Sequence, residues 1–213
     1  MKLILVRHGH VEGLKPERFR GRKDVPLTDL GKVQVDATAD RIVAEWRVDA
    51  VYTSPMGRSA DTARAIADRH GLTPQPLPEL LDFDYGAWNW LTHDEVRQRA
   101  APLYDLWFSA PQLVRIPGGD TLQALVLRTA DALRLTLDTH PDQTVVAVGH
   151  DSVNRAMLLQ LLDLPLSGYW RIRQDPCCIN EIDIDIDIDA DTRIVVRRLN
   201  ECWHLFTTNG TAS

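Results

Sequence analysis

The sequence predicts a three-layer α/β/α fold, with a mainly parallel central sheet, helices on both faces and a β-hairpin near the C-terminal end. Three observations carry this expectation. Two short apolar runs, Lys2 to Val6 and Thr144 to Val148, have the β-branched, unbroken character of strands buried on both faces. Helical spacings alternate with them, as βαβ units require. The segment from Glu181 to Asp189 alternates strictly between acid and isoleucine, which is the period of a strand with one buried face.

The first strand runs into Arg7, His8 and Gly9. Residues 11–27 hold Gly13, Pro16, Gly21 and Pro26 without an apolar period, so they form a loop, and a basic one: Lys15, Arg18, Arg20, Arg22 and Lys23. Thr28 caps a first helix whose apolar positions are Leu30, Val33, Ala37, Ile42 and Trp46. Asp49 to Thr53 is a second strand. Ser54 and Pro55 open the next helix as N-cap and first helical residue, which places Arg58 in or near its first turn. Ala60, Ala63, Ile66 and Ala67 give that helix a packing face, and His70 and Gly71 end it.

From Thr73 to Trp90 the chain is rich in proline and aromatics, with Glu79, Asp82 and Asp84 among Phe83, Tyr85, Trp88 and Trp90. Carboxylates beside aromatic surface lose solvation, which raises their pKa and suits a general acid; acidic turn residues on a surface loop account for the same stretch. Thr92 and Glu95 make a capping box, so His93 is a helix-start residue. A turn at 117–121 feeds a long helix lined by Leu122, Leu125, Val126, Ala130, Leu133 and Leu137. After the strand at 144–148 come Gly149, His150 and a helix from Val153 to Leu162. The aspartates of 181–189 are read as a solvated strand face and not a cation site, because ligands in one row do not wrap an ion. A turn at 190–192 and a frayed tail after Phe206 complete the chain.

The 213 residues fit a single domain, with 79–120 as a helical and loop cap. A net charge of -6 argues against a nucleic-acid binder. No apolar run is long enough to span a bilayer, no signal-peptide pattern is read, and three cysteines are too few for a disulfide framework. The expected location is the cytoplasm.

Ligands of open α/β sheets sit beyond the carboxyl ends of the strands, and two such ends here carry histidine. Arg7 and Arg58 supply multi-donor clamps suited to phosphate, and His150 a further donor. His8 is then the nucleophile toward phosphorus, kept unprotonated by the neighbouring arginines. No metal or other cofactor is expected, because the arginines provide the positive charge. A zinc site on His8, His10 and His150 is an alternative that the adjacent arginines disfavour. His10 either fills its loop or faces the pocket entrance.

These residues occur within an ordered set of motifs. Leu5 to Gly9, Phe19-Arg20-Gly21, Pro26-Leu27-Thr28 with Gly31, Thr53-Ser54-Pro55 with Arg58, Ala60, Thr62 and Ala63, Asp82 to Trp88, Pro117-Gly118-Gly119 and Val148-Gly149-His150 follow in turn, closed by Leu199-Asn200-Glu201 and His204-Leu205. In this the chain resembles the histidine phosphatase superfamily, in its phosphoglycerate-mutase-like branch, over nearly its whole length. The resemblance implies hydrolysis of a small-molecule phosphate monoester through a phosphohistidine on His8. It implies phosphoryl binding by Arg7, Arg58 and His150, an acid at Asp82, and a substrate-facing loop at Arg20 and Gly21. Phosphoglycerate-mutase-type transfer and a catalytically weak binding module are the alternatives. The sequence departs from the family pattern where aspartate stands for the usual glutamate at Asp82, and where Asp151 follows the second histidine. The Asp151 carboxylate is expected to point away from phosphate.

Overall fold

A computed structural model describes residues 1–185 and 193–206. Its sheet has strands β1 (Lys2–Arg7), β2 (Ala50–Thr53), β3 (Gln75–Pro76), β4 (Thr144–Gly149), β5 (Ile179–Asp185) and β6 (Arg193–Glu201), in the order β3-β2-β4-β1-β5-β6. The first four are mutually parallel, while β5 runs antiparallel to β1 and forms the hairpin with β6. The predicted fold class is thus observed. β3 is an edge addition that the sequence reading lacks; proline, without an N–H, is tolerated at such an edge.

Because β1 is central, its alternate residues feed two separate cores. Ile4 and Val6 pack with Val146 and Val148 of β4 against helices α1 (Asp29–Glu45) and α2 (Gly57–His70). Leu3 and Leu5 pack with Val145 and Ala147 against α3 (His93–Ser109), α4 (Leu122–Thr139) and α5 (Asp151–Leu161). Burial on both faces is why these strands read as unbroken apolar runs.

Several local expectations change. The inward face of α1 is Gly31, Val35, Thr38, Ala39 and Ile42, whereas Leu30 and Val33 are about half exposed at 51% and 52%. The reason is the loop after β1. A Cβ at Gly31 would stand 2.1 Å from the His10 carbonyl oxygen, so only glycine can face it, and this contact sets the rotation of the helix. Helix α2 starts at Gly57, after Met56, and the Ser54 hydroxyl does not act as its N-cap. That hydroxyl lies 2.9 Å from His150 Nε2. Helix α5 begins at Asp151, two residues earlier than expected. His150 is its N-cap position but makes no side-chain capping bond, which leaves the ring to the site.

The capping box of Thr92 and Glu95 forms as predicted, and α3 bends at Ala100, just ahead of Pro102. In β5, Ile182 and Ile184 face the core. Asp183 faces out to Lys2 and Arg197, but Glu181 is buried and held by Lys2, Arg198 and Trp46, so the acidic row is not wholly solvated. The remainder of that alternating run, the turn at 190–192 and the tail from 207 lie outside the described residues. Among the described residues, no helix is long and apolar enough to cross a membrane.

Candidate active site

The pairing of β1 with β4 aligns Arg7 with Gly149, so His8 and His150 leave adjacent strands side by side. The His8 amide donates to the Gly149 carbonyl at 3.1 Å, and the two rings meet edge to face with centroids 5.2 Å apart. Arg58 arrives from the first turn of α2 and is fully buried. Its Nε donates to His8 Nε2 at 3.2 Å, and its terminal nitrogens donate to the Lys23 and Gly21 carbonyls at 2.9 and 2.8 Å and to Asp82 Oδ2 at 3.0 Å.

The hydrogen bonds define the His8 tautomer. The Gly9 carbonyl, 2.8 Å from Nδ1, can only accept, so Nδ1 carries the proton. Nε2 receives the Arg58 Nε–H, so its lone pair is directed at that guanidinium. Burial, followed by Arg58, holds the His8 imidazole well below its ordinary pKa. The sequence reading credited the arginines alone; loss of solvation is the larger cause. His150 is pushed down to about 3 by the same burial, against the opposing effect of Asp82. Both rings are neutral at pH 7.

Arg7 donates to the Gln174 carbonyl, and its buried Nε has no hydrogen-bond partner among the described residues, which leaves a donor for an anion. Asp82 is held on both oxygens. Oδ1 accepts from Ser152 Oγ and from the Phe83 amide at 2.9 Å; Oδ2 accepts from Arg58 and lies 3.5 Å from His150 Nδ1. Burial pushes this carboxyl up, but His150, Arg58 and the two hydrogen bonds outweigh it and keep it below the usual carboxylate range. The expected rise from aromatic surroundings is therefore reversed in the resting site, because the ion pair and donors exceed the desolvation.

A cavity of about 230 Å³ opens beside Asp82, lined also by Arg20, Tyr85, Phe108, Asp151, Arg155 and Trp170; His8, Arg7, Arg58 and His150 are not on its wall. Asp151 lines this cavity with its charge matched by Arg155 at 3.0 Å, one helical turn on. Arg20 reaches the wall with its guanidinium on the Gly13 carbonyl at 2.8 Å. Gly21 has φ +49 and contributes its carbonyl to Arg58; a Cβ there would meet Asn89 Oδ1 at 2.6 Å.

His93, read as a helix-start residue, also lines the cavity, stacked 4.5 Å from Phe19. His10 does not join the other two histidines: its Nδ1 lies 2.9 Å from Thr28 Oγ1. Among the described residues no group of three or more metal-ligating side chains is assembled. Glu79 and Trp90 are not on the cavity wall, and Trp88 is buried packing.

The sequence reading missed Ser54, Ser152 and Gln174. For Ser152 a signal existed, since it stands in the first turn of a helix starting at a site histidine. Gln174 is placed only by tertiary packing.

The histidine phosphatase superfamily (branch 1) model matches residues 3–198. Over 205 residues the chain is 31% identical to phosphoserine phosphatase 1 of Hydrogenobacter thermophilus, covering 96% of this chain and 94% of that protein. It is 29% identical over 185 residues to the adenosylcobalamin/alpha-ribazole phosphatase of Salmonella typhimurium, covering 86% and 91%. The solved structure of Bacillus stearothermophilus YhfR superposes with a TM-score of 0.86 at 25% identity, covering 96% and 98%. The chain belongs to the histidine phosphatase superfamily. It is a phosphatase, a phosphoric monoester hydrolase of that superfamily.

The buried neutral rings have a consequence for stability. Below about pH 6.5 the unfolded chain protonates its histidines, while the folded state excludes protons from His8 and His150. The unfolded state binds more protons, so stability falls as pH falls, by up to about 1.4 kcal/mol per pH unit for each ring. The thermal unfolding midpoint is expected to drop between pH 7 and pH 4, and His150→Gln to flatten that slope. A flat midpoint in the wild type would show that these rings take up protons in the native fold.

Proposed function

We propose that the protein hydrolyses a small-molecule phosphate monoester in two steps through His8. The observation that carries this is the His8 tautomer, whose Nε2 lone pair is directed toward the guanidinium of Arg58 by the bond from Nδ1 to Gly9. A phosphoryl dianion would draw the Arg58 Nε–H onto its own oxygen, with Arg7 Nε and His150 as further donors. That exchange uncovers Nε2 for attack. The N–P bond forms as the ester P–O bond breaks, and Asp82 gives its proton to the leaving oxygen. In the second step Asp82 accepts a proton from water, water oxygen bonds to phosphorus, and the N–P bond breaks.

Asp82 is ionised in the resting site, so its acid role requires the substrate. The incoming dianion competes for Arg58 and adds negative charge beside Oδ2, both of which raise the carboxyl pKa. The monoester thus brings its own acid into the protonated state.

Residues 79–120 act as the cap in this reading, since Asp82, Tyr85, His93 and Phe108 all reach the cavity wall. The leaving group fills the cavity between that cap and the Asp151–Arg155 pair. The named relatives make phosphoserine and alpha-ribazole phosphate the first compounds to try. They also favour water over a second phosphoryl acceptor. Three free cysteines, Cys177, Cys178 and Cys202, accord with a reducing cytoplasm.

The test of the acid is Asp82→Asn on two kinds of ester. The value of kcat/KM, which reports the phosphoryl-transfer step ahead of the shared hydrolysis, is expected to fall about 10²-fold on an alkyl phosphate and to change little on p-nitrophenyl phosphate, whose phenolate leaves unprotonated. Equal losses on both would remove Asp82 from the acid role.

A further inference from the structure

We infer that Ser152 is a positioning residue for the acid: it occupies Asp82 Oδ1 and so assigns the transferable proton to Oδ2, the oxygen beside Arg58 and His150. The inference rests on the reading of Asp82 as the acid. Three contacts carry it. The Phe83 amide donates both to Asp82 Oδ1 at 2.9 Å and to Ser152 Oγ at 3.3 Å. Because Oγ accepts that N–H, its own hydrogen is turned onto Asp82 Oδ1. Oδ1 then has two donors and no room for a proton of its own, whereas Oδ2 loses its donor whenever Arg58 is drawn to a phosphoryl oxygen.

The placement follows from the chain. Ser152 is 2% exposed and sits in the first turn of α5, directly after His150 and Asp151. The junction of β4 and α5 therefore grips the carboxylate from both sides, with Ser152 on Oδ1 and His150 3.5 Å from Oδ2. An aspartate side chain has a single methylene to place its carboxylate. A donor that holds one oxygen rigidly compensates for its short reach by fixing where the other points.

The charged and titratable groups facing Asp82 are Arg58 from α2, His150 from the N-cap of α5, Arg20 and Arg22 from the loop after β1, Tyr85 from the cap and Arg128 from α4. Of these, Arg22 and Arg128 donate to the Asp82 main-chain carbonyl. Ser152 is the only side chain among the described residues that hydrogen-bonds Oδ1.

The experiment compares wild type, Ser152→Ala, Ser152→Thr and Asp82→Asn on an alkyl phosphate and on p-nitrophenyl phosphate across pH. Ser152→Ala is expected to lower kcat/KM for the alkyl ester about tenfold, with kcat/KM for the aryl ester within about twofold. Losing a donor to the ionised carboxylate also raises its pKa, so the basic limb of the alkyl profile moves to higher pH even as its plateau falls. Ser152→Thr, which keeps the hydroxyl, restores the alkyl rate. Equal loss on both esters, or an unmoved limb, overturns the inference while Asp82→Asn still separates the two esters. If Asp82→Asn does not separate them, the acid assignment itself fails.

Discussion

Replacing His8 with alanine abolishes turnover, with kcat/KM expected to fall by at least about 10⁴-fold on alkyl and aryl phosphates alike. The loss is expected not to depend on the leaving group, because what disappears is the atom proposed to attack phosphorus. No neighbour can substitute. His150 has its Nε2 beside Ser54 at 2.9 Å and its Nδ1 turned toward Asp82, Ser152 is held on Asp82, and the arginines are donors only. In the wild type, turnover of a ³²P-labelled monoester quenched in alkali should leave label on His8 that acid releases. His8→Ala should carry none. Label on another residue, or more than about 1% residual activity, would overturn the covalent route.

Arg58→Ala is expected to cost about 10³-fold in kcat/KM, and Arg58→Lys nearly as much. The guanidinium serves three directions at once: toward His8, toward the Gly21 and Lys23 carbonyls, and toward Asp82. An ammonium cannot reproduce that planar set of donors. Removing the charge also leaves a buried carboxylate without its ion pair, a loss of about 3–5 kcal/mol in typical cases. Chemical denaturation should therefore show Arg58→Ala destabilised, with Arg58→Lys intermediate. A lysine variant within tenfold of wild type would mean that position 58 supplies charge alone.

Much of this site is legible before any folding is considered. Arg7 and His8 follow an apolar run too short and too branched to be a helix, and His150 follows another. Their position at strand ends needs only the period of the side chains and the rule that ligands collect there. Arg58 is readable as a first-turn residue even though the helix begins at Gly57 rather than Pro55. The aspartate at 82 could not be separated from Glu79 and Asp84 by its own surroundings, and the motif resemblance selected it. The rotation of α1 differs from the expected one because Leu30 and Val33 have the right spacing, while Gly31 stands out in the sequence only as a motif position and the carbonyl that sets the helix against it comes from another part of the chain.

By itself the sequence determined the long helices, the described strands other than β3, the two histidines at strand ends and the arginines suited to phosphate, because these depend on local period and on side-chain chemistry. Only the tertiary structure decided the protonation of the site. Whether an imidazole is neutral or a carboxylate ionised depends on burial and on donors brought from distant parts of the chain. Ser152 and Arg58 reach Asp82 across 70 and 24 residues, and no local pattern records such a meeting.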